Sequence, residues 1–268
     1  MHPRVSLHEV AFIAEGTRAF AEHAGRIGVR NLTLATGPLL SLGPPAVAAI
    51  LAGTGTRAAA LNHVFAVHPD LPQDRGEAAR QLTAAIDAAA RLGADRIYLI
   101  SGGRGVLSWE AAAERFAELI APCADHARQN GVTLLVENAS PLNVDIHLAH
   151  TLPDAIRLAE IAGIGVCIEL HACWMEGALD ANLARAMPLT GLVQVSDYVL
   201  GDRVSPCRAV PGDGAIPLER LLGTVLELGY EGLFDLELVG PRITAEGPVS
   251  ATTRAAEYLS ELLTRLGA

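Results

Sequence analysis

A closed (β/α)8 barrel, one α/β domain over residues 1–268, is the fold this sequence predicts. Three observations predict it. Short runs rich in β-branched and apolar residues alternate strictly with longer segments rich in Ala, Leu, Glu and Arg. Several of the short runs are apolar almost throughout, as the strands of a parallel sheet covered on both faces are. The 268-residue length is that of a typical barrel of this kind. A doubly wound open sheet is the alternative, but no strand is followed by G-x-G-x-x-G. No linker or shift in composition divides the chain.

The elements follow in order. The first strand is RVSLHEV (4–10), with a helix over Thr17–Gly28. NLTLAT (31–36) is the second, with a helix over Pro45–Ala52. AAALNHVF (58–65) is the third; the helix after it, Gly76–Leu92, carries Ala, Leu and Ile at i, i+3, i+4 spacing. RIYLIS (96–101) precedes a helix over Trp109–Asn130, and VTLLVEN (132–138) one over Leu152–Ala162. GVCIEL (165–170) is followed by a short helix near Ala181–Met187, LVQVSD (192–197) by Leu218–Leu228, and LFDLEL (233–238) by Val249–Leu266. Gly or Asn stands at several helix stops, as in RLGA, RQNGV and ELGYEG. SGGRG (101–105) is glycine-rich after a strand but lacks the full spacing of a phosphate cradle.

Half of the residues are hydrophobic and the formal net charge is -10. A chain of that balance, with no basic run interleaved with aromatics, is not built to track a nucleic-acid backbone. No N-terminal segment joins a basic head to an apolar run of signal-peptide length. No uninterrupted apolar stretch approaches the roughly 20 residues that span a bilayer. The expectation is a soluble, cytoplasmic protein that acts on a small molecule, with neither a nucleic-acid nor a membrane partner. The spacing of Cys123, Cys167, Cys173 and Cys207 fits neither a zinc site nor a disulfide framework, so they read as reduced thiols.

Barrel chemistry sits at the C-terminal ends of the strands. The stretch GIGVCIELHACW (163–174) shows the pattern: an apolar run stops at Glu169, and a histidine follows. Glu137 ends the fifth strand, Gln194 lies in the seventh with Asp197 at its exit, and Glu237 ends the eighth. On a closed barrel these ends converge, and converging carboxylates raise one another's pKa unless a cation joins them. Oxygen donors without thiolate suit Mg²⁺, Mn²⁺ or Co²⁺. The bland reading is that each glutamate caps a helix or pairs with an arginine.

With these residues in view the chain resembles the xylose-isomerase-like TIM barrel superfamily, in particular its sugar phosphate isomerase/epimerase group. The resemblance rests on LLVENAS, GVCIELHACW, VQVSDY, RAVPGDGAIPL and EGLFDLEL, and covers nearly the whole chain. It implies one divalent metal ion held at Glu137, Glu169, Gln194 and Glu237. Two of those positions depart from the family pattern: Glu169 stands for the usual Asp, and Gln194 for the usual His. His171 is two residues after the strand-six acid, where the family has a histidine three after. Some 3-dehydroshikimate dehydratases of the superfamily are similar in carrying Gln at the strand-seven position. The resemblance also implies that Arg208, three before Pro211, holds a substrate oxygen; a rim ion pair with Asp202 or Asp213 is the alternative. Homo-oligomers are common in the group, so one is expected here. DNA repair is not expected, because the strand-four end is Ser101 rather than His and no Asp-x-His follows strand seven.

The chemistry so implied is isomerisation or epimerisation of a keto sugar or polyol through an enediolate, with Glu137 and Glu237 as the proton-transfer carboxylates. If the enolate expels a leaving group instead, the same site is a lyase or dehydratase, acting on a keto-polyol or a keto-glycoside. A third reading is a barrel that has lost catalysis and serves as a binding subunit. His171 is a candidate acid, with His63, His8, Asn143 and Trp174 as candidate substrate contacts. Each has a bland counterpart: a hydrogen-bonded barrel histidine, a turn asparagine, a packed aromatic. Asn138 stands between hydroxyl binding and a turn, and Asp197 between loop capping and support of the ligands.

Overall fold

The computed structural model describes residues 1–67 and 71–268. In chain order its elements are β1 (Val5–His8), α1 (Thr17–Arg26), β2 (Asn31–Ala35), α2 (Thr36–Leu42), α3 (Pro44–Thr54) and β3 (Arg57–Val64). Then come α4 (Glu77–Leu92), β4 (Arg96–Ile100), α5 (Trp109–Gln129), β5 (Thr133–Glu137), α6 (Leu152–Ala162) and β6 (Gly165–Glu169). The chain closes with α7 (Leu170–Cys173), α8 (Leu179–Ala186), β7 (Thr190–Val195), α9 (Leu218–Glu227), β8 (Phe234–Leu236), α10 (Pro241–Glu246) and α11 (Pro248–Leu266). The eight strands follow one another in sequence order around a closed barrel, the predicted fold class.

By density of contacts the chain forms two compact units. One comprises residues 1–59 with 192–268. Its strand pairs are parallel, with Ser6 level with both Asn31 and Asp235, and Gln194 level with Asp235. The other comprises residues 60–191, where His63 is level with Leu99 and Glu137 with Cys167, again in parallel pairs. β1 and β6 are buried along their whole length; β6 is apolar on both faces up to Glu169, whereas β1 buries Ser6 and His8 on one face.

The helices form where the apolar spacing asks for them. α4 buries Ala78, Leu82, Ala85, Ile86 and Ala89 on one stripe. Ser108 caps α5 by accepting from Ala111 N–H at 3.2 Å, and Thr151 caps α6 by accepting from Asp154 N–H at 3.2 Å. Three helices escape the sequence reading. α2 opens Thr-Gly-Pro, residues that read as a break, yet Pro38 lies in the first turn, where its missing N–H costs nothing. α7 and α10 are too short, at 4 and 6 residues, to show a period. β8 is also shorter than expected and stops at Leu236, so Glu237 is the first residue beyond it. Among the described residues no single helix is long and apolar enough to cross a membrane; the apolar α2–α3 pair is bent by 104°.

Candidate active site

Within residues 60–191 the polar groups gather after β5 and β6. Glu137 and Glu169 are both buried, 4% and 1% exposed. Between them stands Asn138, fully buried, whose amide grips the backbone of Glu169 from both sides. Its Nδ2 donates to Glu169 C=O at 3.0 Å, and its Oδ1 accepts from Glu169 N–H at 2.9 Å. Asn138 is thus a clamp between strand ends, and its amide is not left for a substrate hydroxyl. The Glu169 carboxylate accepts from His171 N–H at 3.0 Å and so caps α7, and His171 Nδ1 lies 3.8 Å from the other carboxylate oxygen. The acid that ends so apolar a strand is therefore partly satisfied by the turn it starts.

His63, 3% exposed, sits near the end of β3, and burial pushes its pKa down to about 4. It is a neutral imidazole at pH 7. Asn143 closes a short turn, its N–H donating to Ser140 and its C=O accepting from Ile146 and His147, so its backbone does the work of a turn residue. Trp174, at the end of α7, donates its N–H to Leu170 C=O and is half-buried. All four cysteines are buried and free. Burial and the nearby Glu176 and Glu169 push the Cys173 thiol well up, so it is no thiolate nucleophile.

The unit of residues 1–59 and 192–268 carries the rest. His8, 2% exposed, ends β1, and its Nδ1 accepts from Val10 N–H at 2.9 Å. That bond leaves the proton of the neutral ring on Nε2. Gln194 is fully buried in β7. Asp197 resolves to loop capping. One carboxylate oxygen accepts from Tyr198 and Ile216 N–H at 2.8 and 3.0 Å, the other from Gly212 and Gly214 N–H at 2.9 and 3.0 Å. A Cβ on Gly214 would lie only 2.6 Å from the Asp197 carboxyl carbon, so the loop closes this tightly only on glycine.

Arg208 pairs with Glu237 at 2.5 Å, both side chains nearly buried. The rim alternatives fall away: Asp202 pairs with Arg242, and Asp213 with Arg254. Arg208 is itself held by its N–H on Val239 C=O at 3.1 Å, and its neighbour Ala209 exchanges two backbone hydrogen bonds with Asp197.

Among the described residues three buried acids escape the sequence reading, and one of them, Asp74, accepts from Gly76 and Ala78 N–H at 2.7 and 2.9 Å at the start of α4. Glu9 accepts from Thr17 Oγ1 at 2.5 Å and from Ala35 N–H at 2.8 Å, which makes it a structural tie. Asp235 is fully buried in β8 and accepts from Thr33 at 2.8 Å. Burial pushes its carboxyl up, while the His8 charge and the hydroxyls of Thr33 and Ser6 pull the other way. A signal was present: in LFDLEL, read as one strand, Asp235 alternates with Glu237.

A metal is tested here by donor chemistry. Glu137 and Glu169 in one unit offer carboxylate oxygens, and Gln194 and Glu237 in the other a carboxamide and a carboxylate; by type, such donors suit a hard or borderline divalent ion. Among the described residues no three His, Cys, Asp or Glu side chains are grouped for an ion, and the Glu237 carboxylate is turned onto Arg208.

A family model described as xylose isomerase-like TIM barrel matches residues 37–262. A Streptomyces coelicolor protein provisionally named a hydroxypyruvate isomerase is 31% identical over 179 residues, 60% of this chain and 60% of that one. Fructoselysine 3-epimerase of Shigella flexneri is 23% identical over 171 residues, 62% of this chain and 60% of the enzyme. The match thus spans about 60% of the length of either relative. In structure the chain is similar to IolI, solved with a bound zinc atom: TM-score 0.82, 16% identity, covering 98% of this chain and 99% of that one. At that identity the likeness shows the fold alone.

Proposed function

Because the chain belongs to the xylose isomerase-like TIM barrel family, we propose that it is an isomerase or epimerase of a keto sugar or polyol. The observation that carries the reading is that acids stand at strand ends away from open solvent: Glu137 and Glu169 buried in one unit, Glu237 partly buried against Arg208 in the other. The relatives named isomerase and epimerase support the same class.

In this reading Glu137, Glu169, Gln194 and Glu237 hold one divalent ion, Mn, Mg or Co. When bound, such an ion polarises a carbonyl and its neighbouring hydroxyl and acidifies the α C–H. The chain's own residues do the rest. Glu137 and Glu237 remove and return the α proton through an enediolate. Arg208 turns from Glu237 to a substrate oxygen, which frees the carboxylate it now neutralises. His171 is placed by the Glu169 turn to give a proton, and the neutral ring of His63 and the ring of His8 offer hydrogen bonds to hydroxyls. Trp174 supplies an apolar wall, and Asn143 borders the site from its turn.

Gln194 favours a second reading. It is the position at which some dehydratases of the superfamily also carry Gln, and the same abstraction followed by loss of a leaving group makes a lyase. Metal analysis of the purified protein beside Glu169→Ala and Glu237→Ala tests the site. About one ion per chain is expected, lost in both variants. Solvent hydrogen exchange at the α-carbon of a keto-sugar panel then separates the reactions: exchange without loss of water or aglycone is isomerisation. A protein that takes up no ion on reconstitution and catalyses no exchange refutes the proposal.

A further inference from the structure

The glycine-rich SGGRG stretch (101–105) has no part in the chemistry above, yet it lines a cavity of about 570 Å³ inside the unit of residues 60–191. That is the size of a small-molecule site. Its other walls come from the loop after β5 and the first turns of α5 and α6. The side chains that matter are Arg104, Trp109, Asp145, His147, His150 and Asp154, over an apolar floor that includes Leu148.

The cavity is built, not incidental. The loop after β5 is pinned to the β4 end by Gly102 N–H on Ile146 C=O at 2.8 Å and by Leu148 N–H on Ser101 Oγ at 2.9 Å. Trp109 Nε1 donates to Leu148 C=O at 3.0 Å, and Ala139 N–H to Ala149 C=O at 2.9 Å. The backbones approach so closely at Gly103 that a Cβ there would lie 2.7 Å from Asp145 C=O. A pocket so fixed does not have to be ordered by its ligand.

The lining selects the class of ligand. Asp145 and Asp154 oppose an anion such as a phosphate, and Arg104 opposes a cation. Most of the exposed lining is apolar, but a wholly apolar ligand would leave Arg104, Asp145 and Asp154 unanswered. A neutral molecule whose polar groups both donate and accept meets the two acids and the guanidinium alike. Vicinal hydroxyls match the two oxygens of a carboxylate and the fork of a guanidinium. The C–H face of a ring suits Trp109, whose indole is already stacked under Arg157 at 4.7 Å. We propose that this cavity is a second binding site, for a neutral polyhydroxylated ligand of sugar or polyol class, and that it acts independently of any metal at the strand ends.

Isothermal titration of the full chain in EDTA tests this with D-fructose, D-glucose, lactose and myo-inositol, and inorganic phosphate as the anionic contrast. At least one neutral probe is expected to bind saturably with a Kd of about millimolar, and phosphate not to bind. Arg104→Ala and Asp145→Ala, checked for native circular dichroism, each weaken binding about tenfold. In a Trp174→Phe variant the remaining Trp109 emission shifts along the same isotherm. The proposal is overturned by silence across all four neutral probes. Binding of phosphate instead, or an affinity that neither variant changes, overturns it too. So does binding that disappears on removing metal, which moves the sugar to the strand-end site and leaves the reading of the function intact.

Discussion

Glu169 and Glu237 both stand at the end of an apolar strand, and the protein settles their charges by different means. Glu169 is answered locally: its carboxylate takes the N–H of His171 two residues on, and its backbone is clamped by Asn138. Glu237 is answered from afar, by the guanidinium of Arg208 at 2.5 Å. The first arrangement survives changes elsewhere in the chain. The second depends on a loop, because Arg208 is positioned by Val239 and by the Asp197–Ala209 exchange. One carboxylate is held at its own strand end, and the other by a side chain that a separate loop brings.

Asp197→Ala attacks the Glu237 side of this contrast and carries the largest expected effect. Four backbone N–H groups lose their acceptor at once, which costs about 4 kcal/mol in urea unfolding. The Arg208 loop loosens with it, so a variant as stable as the parent would mean that the loop stands without its cap. Glu237→Gln comes next. It strands a nearly buried arginine and costs about 3 kcal/mol, and adding Arg208→Met recovers much of that loss. By contrast Glu169→Ala removes a helix cap and costs only about 1 kcal/mol. Equal costs for the two glutamates would erase the comparison.

A pH titration sharpens it on the side of residues 60–191. His63 has its pKa pushed from 6.5 to about 4 by burial. As pH falls the unfolded chain therefore takes up the proton first. The stability due to the neutral ring is whole above pH 6.5 and is lost as pH falls toward 4, by on the order of 3 kcal/mol. Denaturant midpoints measured across that window read it directly, and His63→Gln flattens the slope.

The barrel was legible because eight βα units leave a double period in the sequence, and most strand ends fall within two residues of expectation. β8 was overdrawn because LFDLEL continues to alternate beyond Leu236, where the backbone leaves the sheet. At the site, Glu137 and Glu169 were legible as charges closing apolar runs. Asp235 and Glu9 were not singled out, the one hidden between apolar neighbours and the other in a segment that looks like a strand tail. The Arg208–Glu237 pair was beyond reach, since no local spacing links residues brought together by separate loops. Asn138 was read as a turn or a hydroxyl ligand because an amide's direction is decided by strand register, which sequence does not record.

The Asp197–Ala209 bridge closes the base of the segment it brackets with hydrogen bonds in both directions. A segment fastened at its base behaves as a cassette. Its ends stay in place whatever lies between them, and doubling its length adds only about 0.6 kcal/mol of closure entropy. Residues 199–207 can therefore be exchanged or extended while β7 and the turn at Gly212 and Gly214 keep their geometry. In such grafts Arg208 is the residue whose distance from the staple has to be preserved.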